Sequence, residues 1–194
     1  VNTNGLDDDN HYSSARDVAV MSRELLKHDV IFNYTTIWTD SLRDGKFGLA
    51  NTNKLIRFYD GANGLKTGST SKAGCCLSAT AKRNDMQLIA VILGAPSSKE
   101  RFAGARKLLD TGFASYKVSV PVKKGDTLEN LEIKNGVLDK IPALASDDIK
   151  LLTSVSDNSE TEIITELYEI KAPVYVNDKI GTVTVTKGGE TVGS

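Results

Sequence analysis

Only two cysteines occur in 194 residues, and they are adjacent, Cys75 and Cys76, so neither a disulfide framework nor a zinc ligand set can be drawn. Two histidines, His11 and His28, are too few for a His-based metal site. Charge of one sign is also missing: 24 Lys+Arg face 25 Asp+Glu, for a net −1. No global field therefore points to nucleic acid. No apolar run approaches the roughly 18 residues of a membrane span. No internal repeat is found. The sequence opens on Val1 with no secretion signal behind it, which fits a mature product or a piece of a longer chain. What remains is ordinary: 40% hydrophobic and 25% charged residues, a globular composition. The length suits one large domain or two small ones.

Two domains fit better, because charge and texture change together. Residues 1–116 hold 15 Lys+Arg against 12 Asp+Glu, whereas 117–194 hold 9 against 13. Before Tyr116 there are two helical patterns. After it come short alternating runs broken by Gly, Asp-Asn and Pro. This places an α/β part over 1–116 and an all-β part, a small sandwich, over 117–194.

Asn4 to Asn10 read as a loop. Ser14 with Asp17 three residues on forms a capping-box pattern. Ala15, Val18, Met21 or Ser22, Leu25 and Leu26 then recur at helical spacing to about His28. Residues 37–60 read as short strands and turns. Cys76–Lys82 and Met86–Leu93 flank the polar turn Arg83-Asn84-Asp85, a β-hairpin. Leu88 to Leu93 are apolar at consecutive positions, so both faces of that strand need cover. The N-terminal helix is expected to cover little of one of them, leaving an apolar patch and a tendency to self-associate. Ser98 can cap a helix whose stripe is Phe102, Ala105, Leu109 and Phe113. Further on, Val118, Val120 and Val122 share a face. Ile163 to Ile170 suggest a strand. Val174–Val176 and Ile180–Val185 suggest a hairpin about Asn177-Asp178.

The sharpest chemical signal is Lys66-Thr67-Gly68 on a short strand. An ammonium beside a hydroxyl makes a carboxylate receptor. Glycine removes the side chain that would stop a ligand lying along the strand. Elsewhere the bland reading wins. His11 is a loop or packing residue, since no nucleophile neighbours it. His28 suits a helix C-terminus. Cys75 and Cys76 are small buried thiols on opposite faces of a strand. Asp7-Asp8-Asp9 is a solvated turn rather than a spaced cation loop. Trp38, Phe47, Phe58 and Tyr59 are core or groove wall, not a base-stacking platform.

Lys-Thr-Gly is the third signature of the serine penicillin-recognising enzymes. The run Gly64 to Gly74 resembles its form in D-alanyl-D-alanine carboxypeptidases, the low-molecular-mass penicillin-binding proteins. Asn4-Gly5-Leu6-Asp7 and His11 to Ala19 resemble the segment after that family's second motif. Asn51-Thr52-Asn53-Lys54-Leu55 resembles its approach to the KTG strand, and the tail after Tyr116 its C-terminal domain. The resemblance implies an α+β fold: part of a transpeptidase-like domain, an antiparallel sheet with helices, then a small all-β sandwich. It implies acyl transfer by a serine on peptidoglycan stem peptides ending in D-Ala-D-Ala, with β-lactams as mimics. The setting is the bacterial cell envelope, outside the cytoplasmic membrane. No cofactor, metal or nucleic acid is implied, and membrane contact would come only through segments not in this sequence. Lys66 and Thr67 would take the substrate carboxylate, with Gly68 and Ser69 beside them. The Ser69 N–H would be one half of the oxyanion hole.

The nucleophile is what this sequence does not show. The family's Ser-x-x-Lys and Ser-x-Asn motifs both precede KTG, and neither occurs in residues 1–65. Ser69 to Lys72 matches the first pattern, but it follows KTG directly on a strand exit. Ser156-Asp157-Asn158 matches the second, in a turn of the β part. The expectation is the C-terminal portion of a longer enzyme, inactive alone and completed by its missing half. A class A β-lactamase relative and a non-catalytic wall-binding or protein-interaction module are the alternatives.

Overall fold

Ser14 starts the first helix through a reciprocal pair of bonds. Its hydroxyl accepts from the Asp17 N–H at 3.1 Å, and the Asp17 carboxylate accepts from the Ser14 N–H at 3.1 Å. The helix α1 runs Ala15–Leu25 in the computed structural model, which describes residues 1–194. Of the alternative periodic positions, Ser22 and Leu26 turn inward while Met21 and Leu25 stay exposed. A serine on the inner face is explained by its partner: Ser22 Oγ lies 2.7 Å from Ser78 Oγ.

Ser78 belongs to a three-stranded antiparallel sheet of β3 (Ala62–Thr70), β4 (Gly74–Arg83) and β5 (Met86–Ala95), in that spatial order. The helix α4 (Ser98–Ser115) covers one face. Leu77, Ala79, Ala81 and Ala90 pack there with Leu55, Phe102, Ala105 and Leu109. Helix and sheet approach closely at Gly112, where a Cβ would stand 2.6 Å from Leu88 Cδ1. The glycine that left the end of this helix uncertain in sequence is thus a packing requirement. Residue alternation puts Ser78 and its register partner Val91 on the other face. Contrary to expectation, α1 lies over that face. Ile89 and Val91 are half-buried there, and only Leu93 is exposed in the run Leu88–Leu93. The cap of α4 is also one residue earlier than expected: Ser97 Oγ accepts from the Glu100 N–H at 3.2 Å.

Between α1 and the sheet run a 3-10 turn (Asp29–Ile31), a short helix α2 (Phe32–Thr35) and the hairpin β1 (Thr39–Leu42) and β2 (Phe47–Ala50). A helical turn α3 (Leu55–Phe58) follows, which alternation rules missed. Phe47 and Phe58 are exposed, at 53% and 56%, so of the two readings, core or groove wall, the core is excluded for them. Cys75 and Cys76 are free and half-buried rather than buried.

The chain divides into Val1–Ser115 and Tyr116–Ser194. The second unit is all β. Here β6 (Tyr116–Val122) pairs β9 (Ile149–Ser154), β7 (Thr127–Glu132) pairs β8 (Lys140–Leu144), and β10 (Thr161–Leu167), β11 (Gly181–Lys187) and β12 (Glu190–Gly193) form a third sheet. Val122, Ile149 and Leu151 meet Val185 in a shared core, so two of these sheets pack on each other. The expected hairpin at Asn177-Asp178 does not form. A turn is there, with Asp178 N–H donating to Tyr175 O, but β11 pairs with β10 instead. Seven register pairs with β10, against three residues at Val174–Val176, explain that choice.

Candidate functional site

Lys66, Thr67, Gly68 and Ser69 lie on β3, which is an edge strand of its sheet. Their β4 register partners are Ser78, Leu77, Cys76 and Cys75. Consecutive strand side chains point to opposite faces. Lys66 therefore shares the α1 face with Ser78, and Thr67 shares the α4 face with Leu77.

The backbone directions define the edge. A single Arg101 nitrogen, Nη1, donates to both Gly68 O and Cys76 O, each at 3.2 Å. One donor can reach both carbonyls only if both lie between β3 and β4. Carbonyls alternate along a strand, so Thr67 O and the Ser69 N–H are directed to the outer edge. Lys66 Nζ is at that edge too, donating to Thr67 O at 2.5 Å. An ammonium and a backbone donor thus occupy one unpaired strand edge, two residues apart along the chain at Thr67 O and Ser69 N.

Thr67 is 8% exposed, and its hydroxyl lies 2.7 Å from that of Thr52, an exposed residue. The flanking asparagines hold Thr52 in place. Asn51 Nδ2 donates to Thr35 O at 3.1 Å and Ile37 O at 2.8 Å. Asn53, 2% exposed, donates from Nδ2 to Gly64 O at 2.7 Å and accepts from the Leu55 N–H at 3.2 Å. Beyond Ser69 the strand exit is tied to the N-terminal loop. Thr70 Oγ1 donates to Asp7 at 2.5 Å, and Lys72 Nζ pairs with Asp9. The acidic run is therefore a tether for the turn after KTG, not only a solvated loop.

The two histidines lie on either side of α1. His11 is exposed in the loop before α1. His28 precedes the 3-10 turn, and its carbonyl accepts from the Ile31 N–H at 3.0 Å. Ser69 lies on β3 while Lys72 lies in the following turn, and Ser156 to Asn158 follow β9. Neither serine stands at a helix N-terminus. Two open concavities are lined by residues of the second unit, among them Lys171 and Lys179 in one and Thr127 and Thr165 in the other. An open strand edge rather than an enclosed pocket is the candidate site of this chain.

Thr52, Arg101 and Asp7 escaped the sequence reading as site residues. Arg101 left one trace: it interrupts the apolar stripe of α4 next to Phe102, where a charge has no reason to be unless it is bonded inside.

A penicillin-recognising fold, with a KTG edge strand backed by a helix and followed by a β unit, is what these features define. Residues 1–97 match the family model of D-alanyl-D-alanine carboxypeptidase. Residues 116–194 match the C-terminal domain of penicillin-binding protein 5. The chain belongs to the D-alanyl-D-alanine carboxypeptidase family. It is 40% identical to the D-alanyl-D-alanine carboxypeptidase DacF of Bacillus subtilis over 97% of its own length and 50% of that protein's. It is 29% identical to penicillin binding protein 5 from Haemophilus influenzae, with a TM-score of 0.67 over 97% of this chain and 56% of that one. Penicillin-Binding Protein D2 from Listeria monocytogenes in its cefotaxime-bound form is 34% identical, with a TM-score of 0.53 over 58% of this chain and 47% of that one. The chain thus spans about half the length of the curated relatives it matches.

Proposed function

We propose that this chain is the carboxylate-binding portion of a serine-type D-Ala-D-Ala carboxypeptidase, and that its nucleophile lies outside these 194 residues. The observation that carries this reading is the shared outer edge of β3, where Lys66 Nζ and the Ser69 N–H stand together. In the reaction a serine attacks the penultimate D-Ala carbonyl of a peptidoglycan stem peptide. The terminal D-Ala leaves, and water resolves the acyl-enzyme. The Lys66 ammonium attracts the terminal carboxylate, and the Thr67–Thr52 hydroxyl pair supplies a directional donor. Gly68, exposed and without a side chain, lets the ligand lie against the strand. The Ser69 N–H takes one side of the charge that develops on the carbonyl oxygen. β-Lactams enter by the same carboxylate contacts; binding of a β-lactam as such has a parallel in the Listeria relative, which is described in a cefotaxime-bound form. The substrate places the enzyme outside the cytoplasmic membrane. No helix of the chain is long and apolar enough to cross a membrane.

Two measurements test the reading. The chain alone, incubated with fluorescent penicillin, gives no band that survives denaturation; a labelled band would put the nucleophile within these residues. In the enzyme joined to its Ser-x-x-Lys segment, Lys66→Ala costs about 1.5–3 kcal/mol in acylation by carboxylate-bearing substrates. Thr67→Val costs less, since it removes a neutral donor. Equal acylation by wild type and Lys66→Ala would remove Lys66 from the site.

A further inference from the structure

Arg101 is 7% exposed, yet its partners are two backbone carbonyls, the Ser98 hydroxyl at 3.2 Å and the face of Phe102, with 4.8 Å from guanidinium carbon to ring centroid. None is a carboxylate, and its Nε is buried with no partner. A buried cation held this way is costly, since its charge is not balanced. A merely structural helix-to-sheet contact at this position would be served better by an apolar side chain.

The residue it grips explains the expense. The Gly68–Ser69 peptide is one rigid plane, with the Gly68 carbonyl and the Ser69 N–H pointing in opposite directions. Pulling the carbonyl inward onto Arg101 turns the N–H outward. Pairing of Gly68 with Cys76 already turns the Gly68 carbonyl toward β4, and Arg101 is a second, charged hold on the peptide that carries the Ser69 N–H. The positive charge at the oxygen also polarises that peptide and strengthens its N–H as a donor. The second bond, to Cys76 O, fixes the guanidinium relative to β4, where the register shifts between Cys75 and Leu77. Glycine at 68 adds no side chain to stiffen this peptide, so the Arg101 bond is a restraint beyond the β4 pairing.

We propose that Arg101 is a positioning residue that aims and polarises the Ser69 N–H for the developing oxyanion; this rests on the reading of the KTG edge given above. Lysine cannot replace it, because one ammonium lacks the planar fork that reaches Gly68, Cys76 and Ser98 together.

The test uses the enzyme joined to its Ser-x-x-Lys segment, with Arg101→Lys, Ser98→Ala and Lys66→Ala compared. Acylation rate and non-covalent affinity for a β-lactam are separated by stopped flow, and the acyl-enzyme ester carbonyl is read by infrared difference spectroscopy. Arg101→Lys is expected to slow acylation about tenfold or more, by comparison with the 10²–10³ lost when an oxyanion donor is removed outright. Non-covalent affinity should stay within about twofold, and the ester carbonyl stretch should move to higher frequency as its hydrogen bond weakens. Ser98→Ala, which loosens the guanidinium and keeps its charge, should move both readouts the same way by less, and it carries the test if Arg101→Lys does not fold. A lowered melting temperature with acylation rate and carbonyl frequency unchanged would overturn the inference and leave a packing role. If Lys66→Ala is equally silent, the reading of the edge strand falls with it; if Lys66→Ala alone slows acylation, that reading stands and only the role of Arg101 is lost.

Discussion

Asp157 is held as a carboxylate by its neighbours in the second unit. The N–H of Ser159 donates to its Oδ1 at 2.9 Å, and Lys187 Nζ lies 3.3 Å from Oδ2. The hydrogen bonds from Ser159 first, then Lys187, pull its pKa down to about 2. An unfolded aspartate titrates near pH 4. The stability it contributes is therefore present above about pH 4 and lost as pH falls through about 2. In urea titrations across that window, Asp157→Asn should flatten the acid loss of the second unit; parallel curves for variant and wild type would contradict the bonding. Tyr59 shifts the other way. Burial first, and its 2.7 Å bond to Asp110 second, push the phenol up to about 12. Folded protein should thus keep Tyr59 protonated well above pH 10, a late titration that Tyr59→Phe removes from the ultraviolet curve. The related stability is retained below about pH 10 and lost as pH rises toward 12. Asp110→Asn should bring that last titration down, though not to the ordinary value, since burial persists.

Among elements, α1 and α4 are held by different means. α1 is short and turns only Val18, Ala19 and Ser22 inward, so its capping box matters: Ser14→Ala should cost about 1 kcal/mol in thermal or urea unfolding of the first unit. α4 is held by packing. Gly112→Ala would force a Cβ against Leu88, and overpacking of this kind costs about 1–3 kcal/mol, despite the gain in helix propensity. A stabilised Gly112→Ala protein would show that Leu88 can turn aside freely. α4 also anchors α3 and the sheet hairpin through Arg83, whose guanidinium lies 4.8 Å from the Tyr59 ring and 4.4 Å from the Phe113 ring.

On the scale of the whole molecule, several large apolar side chains of the first unit are exposed. Val20, Met21 and Leu25 of α1 are 50%, 60% and 41% exposed, and Leu93 of β5 is 41% exposed. Apolar surface of this kind on a chain of 20.9 kDa favours association. Size-exclusion chromatography with light scattering should show a mass that rises with concentration, and hydrophobic dye should bind. A monomer at every dilution, with no dye bound, would mean that the exposed side chains are too scattered to act together.

The local features of this protein were legible without its structure, because they depend on residues close in sequence. Ser14 and Asp17 announced a helix start, the stripe Phe102, Ala105 and Leu109 announced α4, and Arg83-Asn84-Asp85 announced the turn between β4 and β5. The run about Lys66-Thr67-Gly68 carried the family resemblance, and that resemblance named the fold. Partners far apart in sequence were decided only by the tertiary structure. Nothing local says that β10 takes β11 away from Val174–Val176, since strand patterns record faces and not mates. Nothing near Asp7 says that it meets Thr70, or near Ser22 that it meets Ser78. The direction of the Ser69 N–H was hidden for the same reason: a backbone amide has no letter of its own, and its aim is set by the pairing of β3 with β4, with an arginine 32 positions later in the chain bonded to the same peptide.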